Sequence, residues 1–102
     1  MNVLTYLRCS IGKWGIDLYS QEAGEIFKKI NDEGVKVFQE QPGFISYRLM
    51  RASSDVTVAV AEWKSEDLGK VGAENYRMWL RKSGIWDKLV LQTRDGEIVA
   101  SS

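Results

Sequence analysis

Val56-Thr57-Val58-Ala59-Val60-Ala61-Glu62-Trp63 is the stretch whose pattern decides how this chain folds. Its β-branched residues make it a strand. A strand with one wet face alternates apolar and polar side chains, and this one does not. Val56, Val58 and Val60 point one way, and Thr57, Ala59, Ala61 and Trp63 point the other. Both faces therefore need an apolar cover.

Working outward, Ala52-Ser53-Ser54-Asp55 is a turn, and Phe44 to Arg51 is a strand that forms an antiparallel hairpin with Val56 to Trp63. Pro42-Gly43 ends a helix predicted from about Ser20 to Gln41, in which Ile26, Phe27, Ile30, Gly34, Val37 and Phe38 recur at helical spacing. Ser20 reads as its N-cap, and Gly34 as a place where it kinks. Residues 3–9 read as the first strand. Residues 11–17, with Gly12, Trp14 and Gly15, read as a loop. Downstream, Ser65-Glu66-Asp67 opens a second helix that runs to about Lys82 and stops near Ser83-Gly84. Residues 88–94 form a fourth strand, Asp95-Gly96 a turn, and Ile98-Val99 part of a short tail.

The order is β-α-β-β-α-β, a ferredoxin-like α+β arrangement. Right-handed crossovers put both helices on one face of a four-stranded antiparallel sheet. The other face is left uncovered, and the same face of a second copy, related by a two-fold axis, is the economical cover. The expectation is a homodimer, two sheets closing into an α/β barrel.

Composition narrows the function. The 102 residues suit one domain, with 44% hydrophobic and 27% charged residues. Lys plus Arg equals Asp plus Glu at 14 each, so no global field draws in nucleic acid or anionic lipid. No segment reads as a leader or a membrane span, and a cytoplasmic location is expected. There is one cysteine, Cys9, expected to be a buried small hydrophobe, and no histidine. No metal site or cofactor motif is visible, and the usual general base is missing.

The run Gln41-Pro42-Gly43-Phe44-Ile45-Ser46-Tyr47, followed by Ala61-Glu62-Trp63-Lys64-Ser65-Glu66-Asp67, resembles the antibiotic biosynthesis monooxygenase-like family of dimeric α/β barrels. The resemblance spans roughly residues 3–93. It implies a cofactor-independent monooxygenase acting on a small aromatic or quinol-type molecule. Trp63 matches a tryptophan that lines the cavity between sheet and helices in several active members. Tyr76 or Arg77 falls where others place a polar residue or a histidine. The chain departs from the haem-degrading branch, having no histidine and carrying Tyr6 and Arg8 where that branch has an asparagine in the first strand.

On this reading Trp63 lines the pocket, Tyr76 bonds the substrate oxygen, and Arg77 or Arg8 stabilises an anion. Tyr6, Trp79 and Trp14, the last in a glycine-flanked loop, are further substrate-contact candidates. Plainer roles stand beside these. Trp63 also reads as a core plug, Tyr76, Trp79 and Trp86 as a core stripe, Trp14 as a cap on the core, and Glu62 as an exposed strand-end carboxylate. A dimeric small-molecule binding or sensing module without turnover fits the same residues.

Overall fold

The computed structural model describes residues 5–102. Its elements run β1 (Tyr6–Trp14), α1 (Gln21–Lys29), a π-helical turn (Ile30–Gly34), α2 (Val35–Gln39), β2 (Phe44–Arg51), β3 (Val56–Trp63), α3 (Glu66–Lys82), a 3-10 turn (Trp86–Lys88) and β4 (Leu89–Glu97). The sheet is antiparallel with strand order β2-β3-β1-β4. This is the ferredoxin-like β-α-β-β-α-β fold that the pattern predicted.

The cap assignments hold. Ser20 Oγ accepts from the Ala23 amide at 3.2 Å, and Ser65 Oγ from the Leu68 amide at 3.3 Å. Each cap is worth about 1 kcal/mol. Gly43 ends the first helical stretch at φ +78° and Gly84 the second at φ +79°, the left-handed geometry that a side chain resists.

Two boundaries differ from expectation, and the kink expected at Gly34 takes the form of a π-turn. Val3 and Leu4, placed in the first strand, lie outside the described residues. The strand itself continues to Trp14, so Trp14 ends a strand and is not part of a loop. Gly12 misleads here: a Cβ on it would lie 2.8 Å from Thr57 Oγ1 and 3.2 Å from Trp14 Nε1, so the glycine marks a close approach inside the sheet. β4 likewise runs on to Glu97, through the expected turn at Asp95-Gly96, because Asp95 sits opposite Arg8 and Gly96 opposite Leu7. The predicted helix from Ser20 to Gln41 contains the π-turn, closed by the Val35 amide donating to the Ile30 carbonyl. It ends at Gly34, where a Cβ would lie 3.0 Å from Trp79 Cη2 and 3.2 Å from Tyr76 Cε2.

One sheet face meets the helices. Register places Tyr6 opposite Trp63, Arg8 opposite Ala61 and Ser10 opposite Ala59 on this face. The other face presents Ile11 against Val58 and Met50, and Cys9 against Val60. Ile11 is 46% exposed, Met50 55% and Val90 70%, so this apolar face is open in the single chain. Cys9, expected to be buried, is half-exposed there. No helix among the described residues is long and apolar enough to cross a membrane.

Candidate functional site

Between the covered sheet face and the helices the core divides in two. At one end Trp14, Leu18, Ile26, Ile30, Leu80 and Ile85 form a mainly aliphatic block. At the other, Tyr6, Phe38, Ala61 and Trp63 form an aromatic one, with Phe44, Tyr47 and Tyr76 against it. A cavity of about 70 Å³ lies between sheet and helices and touches both.

The small side chains of β1 and β3 create the space: Ser10, Thr57, Ala59 and Ala61 floor it. On α3, Ala73, Tyr76, Arg77 and Leu80 recur at helical spacing and form the roof, with Phe38 from α2 beside them. Trp63 is fully buried. Burying an indole of this size contributes roughly 4–6 kcal/mol as an upper bound. Its ring packs close against α3 because positions 69 and 72 are glycine: a Cβ at Gly69 would come within 3.1 Å of Trp63 Cδ1, and one at Gly72 within 2.8 Å of Cζ2.

Aromatic rings continue from there. Phe38 stacks on Tyr76 at 4.2 Å and on Tyr47 at 4.5 Å between centroids, and Trp79 stacks behind Tyr76 at 5.6 Å. The hydroxyls of Tyr47 and Tyr76 are 3.5 Å apart. Burial pushes the Tyr76 phenol far above the ordinary phenol range, and the Tyr47 phenol upward as well. Both keep their protons at neutral pH, which makes them hydrogen-bond donors and poor bases.

The polar groups are unevenly satisfied. At the aliphatic end Trp14 Nε1 donates to Thr57 Oγ1 at 2.9 Å. At the aromatic end Trp63 Nε1 and the Tyr6 hydroxyl are buried with no hydrogen-bond partner among the described residues. Burial and the neighbouring Asp95 carboxylate push the Tyr6 phenol up to about 12. Arg8, mostly buried, donates to Asp95 Oδ2 at 2.8 Å, so its charge is already matched. Arg77 is 3.6 Å from Glu74, a loose pair that leaves its guanidinium able to turn.

Of the residues proposed from sequence, Trp63, Tyr76, Arg77, Arg8 and Trp14 all line this cavity. Tyr6 packs beside Trp63 without lining it, and Trp79 stands behind Tyr76 as a support. Tyr47 and Phe38 line the cavity and were not singled out for chemistry. The alternation Tyr47-Leu49-Arg51 against Ser46-Arg48-Met50 is the signal for Tyr47, since the first set shares a face with Ala61 and Ala59.

A second, wetter groove of about 420 Å³ runs between the π-turn and β2. Ile30, Tyr47 and Leu49 line both spaces and so form the partition between them.

No protein-family model matches the chain, and no curated protein matches it in sequence. Solved structures do match in fold. SnoaB, a cofactor-independent oxygenase from Streptomyces nogalater, superposes with a TM-score of 0.66 at 14% identity, over 96% of this chain and 94% of SnoaB. A dimeric ferredoxin-like protein from an uncultured marine organism gives 0.73 at 11% identity, over 97% of this chain and 99% of that one. A point mutant of MhuD, crystallised with two manganese protoporphyrin IX molecules per active site, gives 0.67 at 13% identity, over 95% and 97%. The structural neighbours of the chain are thus antibiotic biosynthesis monooxygenase-like and dimeric ferredoxin-like proteins, and what they share with it is the fold.

Proposed function

We propose that the chain is a cofactor-independent monooxygenase for a small phenolic or quinol-type aromatic, bound between sheet and helices. The observation that carries this reading is the buried indole N–H of Trp63, unpartnered in the wall of an apolar cavity that also holds two protonated phenols. An unsatisfied buried donor costs about 1–3 kcal/mol, which a ligand oxygen would recover. An electron-rich substrate anion can itself reduce dioxygen. A ring methylene then becomes a carbonyl, one oxygen atom entering the product and the other leaving as water with the two methylene hydrogens. The protein supplies a dry pocket, Tyr76 as donor to the substrate oxygen, and Arg77 opposite the anion. The fold likeness to SnoaB supports the same chemistry.

The cavity is smaller than the roughly 150 Å³ that holds one benzene. Binding a substrate therefore moves the partition of Ile30, Tyr47 and Leu49 toward the groove.

A second reading, binding without turnover, is favoured by one observation: among the described residues no carboxylate, amine or imidazole lines the cavity, so no side chain of these removes the substrate proton. Oxygen uptake with simple quinols and hydroxyanthracenones separates the two. Uptake that falls at least about tenfold in Trp63→Phe or Tyr76→Phe is expected for the enzyme. Ligand binding without oxygen consumption would leave the binding module.

In this reading the protein works as a two-fold dimer with the open faces around Ile11, Met50 and Val58 stacked. Light scattering at micromolar concentration is expected to give twice the chain mass. A monomer would remove the dimer from the proposal.

A further inference from the structure

The groove beside the cavity has a chemistry of its own. Its walls are apolar (Phe27, Ile30, Val35 and Leu49), and its polar groups are Asn31, Tyr47 and Arg51. Among the described residues, Arg51 is the one charged side chain that lines it. Resting on the reading of the cavity above, we infer that the groove is a subsite for a carboxylate-bearing arm of the aromatic ligand, with Arg51 receiving the carboxylate.

Arg51 is held ready for an anion. One guanidinium nitrogen donates to the Leu18 carbonyl at 3.1 Å, and the guanidinium lies over the Tyr19 ring at 4.2 Å from its centroid. Those contacts fix the plane of the fork and leave its other N–H groups free for a ligand. Arg51 belongs to no ion pair among the described residues, whereas Arg8, Arg77 and Arg81 each face a carboxylate. A planar guanidinium pairs two N–H groups with the two oxygens of a carboxylate. One positive charge matches a carboxylate better than a doubly charged phosphate, and among the described residues the groove offers no second cation for the latter.

Position supports the assignment. Arg51 and Tyr47 lie on the same face of β2, with Leu49 between them. A ring seated past Tyr47 in the cavity therefore directs a substituent along Leu49 toward Arg51. The groove, at about 420 Å³, falls within the range of ligand pockets, which the cavity alone does not. Asn31, on the π-turn, adds an amide across from the strand.

The test uses a ligand that is not consumed. Anthraquinone-2-carboxylate and its uncharged methyl ester are titrated against the whole protein, followed by quenching of tryptophan fluorescence. The carboxylate is expected to bind about tenfold tighter than the ester, as one charge-assisted contact provides. Arg51→Gln should erase that preference and leave ester binding unchanged, while Arg51→Lys should keep part of it. Equal binding of acid and ester by the unmodified protein overturns the subsite, and so does equal weakening of both by Arg51→Gln. A phosphonate analogue binding tighter than the carboxylate would overturn the assigned ligand class. The oxygenase reading is judged separately. Carboxylate preference without oxygen uptake refutes oxygenation and supports the subsite; oxygen uptake with acid and ester bound alike refutes the subsite only. Failure of both probes to bind refutes both.

Discussion

Trp14 and Trp63 stand on the same sheet face at opposite ends of the core, and they are settled differently. Trp14 ends β1 among aliphatic side chains, touches Phe27 edge-on, and has its N–H bonded to Thr57. Trp63 ends β3 among aromatic rings, pressed on two glycines of α3, with its N–H bonded to nothing. The first arrangement is what stability alone selects: a large ring buried with its polar atom satisfied. The second leaves a donor unpaired at a cost, and such sites concentrate where a ligand completes the bonding. The same residue type thus marks a hydrogen-bonded end and an unsatisfied end of one core, and the proposed function makes use of the second.

The comparison breaks most severely at the glycine pair. Gly72→Ala drives a methyl group into the buried indole, and the expected loss is about 3 kcal/mol by urea denaturation, at the high end for overpacking. Gly24→Ala, on exposed helix with nothing within 4 Å of the new methyl, should instead stabilise by about 0.5–1 kcal/mol. If both variants shift the midpoint alike, the packing of Trp63 on α3 is not as described.

A finer test compares the two indoles directly. Trp14→Phe and Trp63→Phe remove similar volume, but only the first breaks a hydrogen bond, while the second removes an orphan donor. Trp14→Phe should be the more destabilising by about 1–3 kcal/mol. Equal losses would mean that the Trp63 N–H is satisfied in solution, and the contrast between the ends would vanish.

The aromatic end was more legible in the sequence than the aliphatic one. Trp63 was placed on one face with Thr57, Ala59 and Ala61 because these alternate with three valines, a period-two signal, while its place between sheet and helices came from the family resemblance. Tyr76 and Arg77 were singled out through the family resemblance, and Tyr76 also through the aromatic stripe it forms with Trp79 and Trp86. Trp14 was misplaced because Gly12 and Gly15 resemble loop punctuation, and only the packed sheet shows that Gly12 makes room for Thr57 and Trp14. Gly34 signalled an irregularity in the first helix, but not that it would be a π-turn or that the glycine would sit against Tyr76 and Trp79. The groove beside Arg51 was equally hidden, because nothing in the residue spacing shows that the π-turn leaves a space beside β2.

The seat of Trp63 on Gly69 and Gly72 also binds the history of these positions together. A smaller residue at position 63 would free both helix positions to gain side chains, and a side chain at either would press for a smaller residue on the strand. Either change made alone passes through a poorly packed intermediate. Descendants of this chain that keep the indole inherit the two glycines with it, and a lineage that abandons one is released from the others.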